Sequence, residues 1–117
     1  MKKYCIVGSG RQGTAAAYDL IKFASPDSIL IIDGNKKSLE SCAGRIKSLT
    51  GYNVECVLLD INEKDSLVSA LHEVDIFLSA VPYPFNLYLT DVAIESKTSM
   101  VDLGAVSYTH LTLPTKA

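Results

Sequence analysis

Three glycines and one acid hold the chemistry this sequence can offer. A short apolar run, 4–7, ends in Gly8-Ser9-Gly10-Arg11-Gln12-Gly13 and opens into Thr14-Ala15-Ala16-Ala17-Tyr18. Between a strand and a helix, the spacing G-x-G-x-x-G gives each glycine a separate task. Gly8 turns the chain sharply out of the strand, Gly10 lets a pyrophosphate approach the backbone, and Gly13 lets the helix pack close against the strand. The helix start presents N–H groups and a partial positive charge to phosphate, so Ser9, Arg11 and Gln12 join the glycines as expected cofactor contacts. Asp33 closes the apolar run 29–32, about twenty residues past Gly13, the spacing at which a carboxylate meets the ribose of a dinucleotide. An isolated acid at a strand end is more often merely solvated; behind this loop it reads as a ligand contact.

Asp33 also bears on which dinucleotide is bound. It is expected to accept hydrogen bonds from both ribose hydroxyls of NAD, whereas a 2′-phosphate would set a second negative charge against it. Lys36 and Lys37 are close in sequence but expected to point to solvent on flexible, salt-screened stems. NAD is therefore expected over NADP, by about tenfold or more.

Hydrophobic spacing supplies the elements that must position these residues. A first helix is expected over 11–24, with Ala16, Ala17, Leu20, Ile21 and Ala24 on one face and Pro26 as its stop. A second strand is expected over 29–32. Asn35 can cap a second helix in which Leu39, Cys42, Ala43, Ile46 and Leu49 recur at helical spacing, and Gly51 ends it. A third strand, 54–59, leads to Asp60. Asn62 and Asp65 have the spacing of a capping pair for a third helix carrying Leu67, Val68, Ala70 and Leu71. A fourth strand over 74–81 is broken by Pro82, a fourth helix runs over 86–96, and a fifth strand over 99–103 stops at Gly104.

Strands alternating with helices imply an α/β fold of Rossmann type, because each parallel crossover must be right-handed. The expectation is a doubly wound parallel sheet of order 3-2-1-4-5 with helices on both faces. The runs 29–32 and 76–80 are apolar on consecutive residues, as strands covered on both faces are. A ligand crevice is expected between strands one and four, bordered by Gly8–Gly13 on one side and by Ala80, Val81 and Pro82 on the other. Asp60 and Ile61 fall where such folds touch adenine. They also read as a plain turn with Asn62 as cap, and both readings can hold together.

A chain of 117 residues suits one domain with one core. Its net charge of −2, without a basic cluster, gives no reason to expect nucleic acid or an anionic membrane as partner. The apolar runs are too short for a transmembrane span. Met1-Lys2-Lys3 leads directly into a strand ending at Gly8, unlike a secretory signal. Cys5, Cys42 and Cys56 are odd in number and each is expected buried. They read as reduced core thiols of a cytoplasmic protein, with no further ligands nearby for a metal.

Residues 106–115, Val-Ser-Tyr-Thr-His-Leu-Thr-Leu-Pro-Thr, break the pattern. They have no helical period, poor alternation and none of the upstream punctuation, although local propensity alone would allow a strand. They look like an in-frame translation of a transposase adapter used in sequencing libraries. The expected organisation is a dinucleotide-binding domain over 1–104, the front of a longer enzyme, and a non-native tail over 105–117.

Gly8–Gly13 followed by Ala15-Ala16-Ala17-Tyr18-Asp19-Leu20, the stretch Ser79-Ala80-Val81-Pro82-Tyr83-Pro84-Phe85-Asn86, and Val101-Asp102-Leu103-Gly104 together resemble the saccharopine dehydrogenase family over residues 3–104. The resemblance implies a nicotinamide-binding domain joined to a second α+β domain, which carries most of the substrate site and usually the dimer contact. A homo-oligomer is thus expected of the full-length protein. It also implies hydride transfer between an amine carbon and the nicotinamide, with a small-molecule amine or amino acid as substrate. Oxidation gives an imine that water hydrolyses, and reductive amination is the reverse. By similarity, Tyr83 corresponds to the family's tyrosine at the mouth of the site; packing at the base of the fourth helix explains it equally well. Asn86 stands where the saccharopine reductase branch tends to have histidine, which leans towards lysine 6-dehydrogenase-like enzymes. Tyr83 and Asn86 are candidate substrate contacts, and the remaining catalytic groups are expected downstream. The alternative is a non-catalytic dinucleotide-sensing module; a sensor needs no phenol and amide at the nicotinamide end, so the 82–86 stretch discriminates.

Overall fold

The computed structural model describes residues 3–81 and 85–102, with Asn86 and Asp102 described through their backbone. Strands and helices alternate: β1 (Lys3–Val7), α1 (Arg11–Phe23), β2 (Ser28–Asp33), α2 (Lys36–Thr50), β3 (Glu55–Leu58), α3 (Lys64–Leu71), β4 (Ile76–Ser79), α4 (Asn86–Ser96) and β5 (Ser99–Asp102). Every pairing is parallel, in the order β3-β2-β1-β4-β5. This is the doubly wound Rossmann-type sheet that the pattern of elements implied. Pro82, Tyr83 and the expected tail lie outside the described residues.

Consecutive apolar residues in the central strands follow from covering on both faces. Side chains alternate along a strand. Cys5, Val7 and Ile32 therefore meet Leu67 and Leu71 of α3 and Leu89 and Val92 of α4 on one face. Ile6, Ile29 and Ile31 meet Ala17 of α1 and Leu39, Cys42 and Ile46 of α2 on the other. Each fully buried Ile or Leu contributes about 1.5–3 kcal/mol relative to exposure. Burial also pushes the Cys5 thiol well up, so this cysteine is a packing residue and not a nucleophile.

Local signals set both ends of α2. Asn35 Oδ1 accepts from the Ser38 N–H at 3.0 Å, and Gly51, at φ 79°, ends α2 in the left-handed region. The start of α3 departs from expectation. Its cap residue is Glu63, which makes no side-chain cap bond, and Asn62 does not cap it. The Asn62 N–H and Nδ2 instead donate to Asp60 Oδ1 at 2.9 and 3.2 Å. The aspartate closes its own turn two residues ahead and uses Asn62 as donor before a helix can use it as cap.

Two further expectations shift. β4 is shorter than 74–81, although the Asp75 N–H to Lys3 carbonyl and Ala80 N–H to Val7 carbonyl bonds, both 2.8 Å, carry the ladder one residue further each way. Cys56 is exposed, because β3 is an edge strand that the helices only partly cover. Among the described residues, no helix is long and apolar enough to cross a membrane.

Candidate cofactor site

The turn from β1 into α1 is shaped by what its glycines lack. Gly8 has φ 111°, and its N–H donates to the Ile32 carbonyl at 2.8 Å. A Cβ there would stand 2.7 Å from the Ala80 carbonyl oxygen. Gly8 is thus pressed between the tips of β2 and β4 in a conformation that side chains resist. A Cβ on Gly13 would come within 2.0 Å of the Gly8 carbonyl oxygen and 3.4 Å of Ile6 Cγ2, so the first turn of α1 lies directly on the loop that precedes it. Gly10 differs. A Cβ there would meet nothing within 4 Å, and Gly10 caps α1 without any side-chain hydrogen bond. Thr14 Oγ1 turns back to the Gly10 carbonyl at 2.9 Å, while Arg11 and Gln12 are exposed on the first turn. The start of α1 is therefore open, electropositive and bordered by backbone, the arrangement that receives phosphate.

Asp33 ends β2 beside this loop because β1 and β2 pair with Val7 opposite Ile32. Its Oδ2 accepts from both the N–H and the Oγ of Ser9, each at 2.8 Å. Its Oδ1 accepts from the Asn35 N–H at 2.9 Å. A carboxylate offers about four acceptor directions. Among the described residues three are filled, and one remains on Oδ1. That geometry accommodates one ribose hydroxyl directly; accepting from both, as the sequence suggested, requires the Ser9 hydroxyl to turn away. Ser9 itself is buried, and its hydroxyl is a partner that spacing rules do not reveal. Lys36 and Lys37 are exposed at the start of α2, as expected of solvated lysines.

The other tips of the parallel strands meet the same edge of the sheet. Ala80 and Val81 follow β4, with Val81 Cγ1 3.2 Å from where a Gly8 Cβ would be. Asp60 and Ile61 form the turn after β3, tied to β2 by the Leu59 N–H to Asp33 carbonyl bond of 3.0 Å. The Ile61 carbonyl accepts from Tyr88 Oη at 2.6 Å. Tyr88 belongs to α4, and its part in this turn has no sequence signal. Asn86 begins α4. Gly8–Gly13, Asp33, Asp60–Ile61 and Ala80–Val81 thus share one edge of the sheet. A groove of about 820 Å³ also opens at Ser9, Gly10 and Arg11, but it runs between α1 and α2 towards Arg45 and Leu49, not between β1 and β4. Among the described residues no cluster of His, Cys, Asp or Glu is arranged to hold a metal.

Comparison with known proteins agrees with this geometry. The family described as "Saccharopine dehydrogenase NADP binding domain" matches residues 4–116, a span that runs past Gly104 into the segment read from sequence as a tail. Apo saccharopine dehydrogenase (L-Glu forming) from Saccharomyces cerevisiae superposes with a TM-score of 0.68 at 21% identity, over 87% of this chain and 21% of that one. UDP-glucose-4-epimerase from Stenotrophomonas maltophila, with bound NAD, gives 0.73 at 17% identity, over 87% and 36%. Quinate dehydrogenase from Corynebacterium glutamicum, in complex with NAD, gives 0.56 at 21% identity, over 69% and 27%. At these identities the likeness is one of fold, and the chain spans only about a fifth to a third of each protein's length. A match across nearly all of its residues, on a Rossmann-type sheet with the glycine loop in place, shows that the chain belongs to the saccharopine dehydrogenase family, as its NAD(P)-binding domain.

Proposed function

We propose that this chain is the cofactor-binding part of an NAD(P)-dependent oxidoreductase acting on a C–N bond of a small-molecule amine or amino acid, with NAD preferred over NADP. When bound, the nicotinamide supplies the carbon that takes or gives the hydride. The chain's own contribution is placement. Gly10 leaves the backbone at the start of α1 accessible to the pyrophosphate, and Asp33 offers its remaining acceptor direction to the adenosine ribose. Arg11 and Gln12 border the phosphates, with Ser9 serving the cofactor through its two bonds to Asp33 and not as a direct phosphate donor. Ala80 and Val81 border the nicotinamide side, and Asp60 and Ile61 the adenine. Tyr83 and Asn86 are the candidate substrate contacts. By the family resemblance the full-length protein is a homo-oligomer, and its three free thiols support a cytoplasmic setting.

The observation that carries the cofactor reading is the Asp33 carboxylate fixed beside the glycine loop by Ser9 and Asn35. A 2′-phosphate would bring its charge against a group that cannot swing aside without giving up three hydrogen bonds. Exposed Lys36 and Lys37 offset this only weakly. NAD should bind the full-length protein about tenfold more tightly than NADP, a difference of about 1.4 kcal/mol. Dissociation constants for both, in the wild type and in Asp33→Ser, test this. Equal affinities in the wild type, or no relative gain for NADP in the variant, would show that Asp33 does not set the choice. The same preparation should reduce NAD when supplied with an amine or amino acid. Tight binding without turnover across a panel of amines would favour the sensing role.

A further inference from the structure

Tyr88 lies in the first turn of α4, with its ring half-buried against the core formed around Leu67, Phe77 and Leu89. Its hydroxyl leaves that packing and donates to the Ile61 carbonyl at 2.6 Å, across 27 positions of sequence. The turn it reaches is already closed on itself: Asn62 donates twice to Asp60 Oδ1, and the Glu63 N–H donates to the Asp60 carbonyl at 2.9 Å. Those bonds fix the shape of the turn. They do not fix its orientation to the α4 side of the site, because all of them join residues within the turn, and the Leu59 N–H to Asp33 carbonyl bond ties only its entry to β2. The Tyr88 bond anchors it to a helix packed on the core. An exposed ion pair between Lys64, at the start of α3, and Glu95, near the end of α4, adds a second link between the same two regions. Desolvation, with smaller contributions from Asp60, Asp65 and Glu95 against an opposing one from Lys64, raises the Tyr88 phenol above its ordinary range. It therefore keeps its proton at neutral pH and donates the hydrogen bond to the Ile61 carbonyl.

We propose that Tyr88 is a positioning residue for the adenosine end of the cofactor site, its hydroxyl setting where Asp60 and Ile61 stand against the adenine. This rests on the reading above that Asp60 and Ile61 flank the adenine. The α4 helix begins on the β4 side of the sheet edge, where Ala80 and Val81 face the glycine loop. One rigid helix thus ties the β3–α3 turn to the side of the crevice assigned to the nicotinamide. Asp60 supplies the turn with its shape, and Tyr88 supplies its address.

Tyr88→Phe keeps the ring and its packing and removes only the donor. The full 1–117 chain, labelled with ¹⁵N, is titrated with AMP and with NAD in both forms. In the wild type, AMP is expected to shift the amide signals of residues 60–62. In Tyr88→Phe the AMP affinity is expected to fall about three- to tenfold, the worth of one hydrogen bond. At saturating NAD the perturbations at 60–62 should shrink while those at Gly8–Gly13 persist. Unchanged AMP affinity would overturn the role of Tyr88 while leaving the adenine reading intact. Equal loss at 60–62 and at the glycine loop would show a general loosening and also overturn it. AMP shifts in the wild type that avoid residues 60–62 would overturn the adenine reading itself, and this proposal with it.

Discussion

Two turns leave the same edge of the sheet and enter helices, and they are built in opposite ways. The β1–α1 turn is held by missing side chains: Gly8 and Gly13 let backbone approach backbone where any Cβ would collide. The β3–α3 turn is held by present ones: the Asp60 carboxylate folds Asn62 back on it, and the Tyr88 hydroxyl reaches in from α4. A turn made by exclusion tolerates no side chain at the two positions where backbone meets backbone, because a Cβ on Gly8 or Gly13 meets a carbonyl oxygen at once. A turn made by hydrogen bonds can lose one and keep its shape, at the modest cost such bonds carry in water.

The largest effect that would test this contrast is Gly13→Ala. Its Cβ would meet the Gly8 carbonyl oxygen, backbone that cannot move without dragging the tips of β2 and β4. A loss of about 3 kcal/mol or more is expected, lowering the melting temperature by about 12 °C or more. A variant that melts near the wild type would show that the loop is slack and the contrast false.

The β3–α3 turn should respond on a smaller scale. Asp60→Ala removes the acceptor for two bonds and should cost about 1 kcal/mol, whereas Asn62→Ala removes only the exposed Nδ2 bond and should cost less than about 0.5 kcal/mol. Urea melts of the two variants compare them directly. Equal costs would return Asn62 to the role of helix cap that its spacing first suggested.

Gly10→Ala sharpens the contrast within the first turn. Its φ of −74° suits alanine and its Cβ would find open space, so stability should stay within about 0.5 kcal/mol of the wild type. NAD affinity should nevertheless fall at least about tenfold, as the methyl occupies the approach meant for the pyrophosphate. A thermal melt paired with a titration separates the two effects. Loss of stability without loss of affinity would make Gly10 a structural glycine like its neighbours.

This division also explains what the sequence made legible. The glycines, the Asn35 cap, the Gly51 stop and the doubly apolar strands are local signals, each decided within one turn or one strand. From them follow the strand order and the edge on which the site residues gather. The bonds that finish the site are not local. Ser9 meets Asp33 across 24 positions, and Tyr88 meets Ile61 across 27. Spacing pointed to Asp33, which does stand beside the glycine loop, but could not show how much of its acceptor capacity the protein itself uses. Asn62 misled because two local rules, cap and Asx turn, compete for one residue. Cys56 misled because hydrophobic pattern does not mark which strand forms the edge.

The strand order also carries a cost in time. β1 is near the start of the chain, yet it lies at the centre of the sheet, with Tyr4 beside Ile29 on one side and Ile76 on the other. During synthesis at about 5–20 residues per second, the β4 side of β1 therefore stays without its partner for roughly 4–14 s after β1 is made. For that interval the nascent chain displays a row of unpaired backbone N–H and C=O groups on its central strand, the template on which chains stick to one another. The order that buries β1 most deeply in the finished fold makes it the segment a chaperone must shield first.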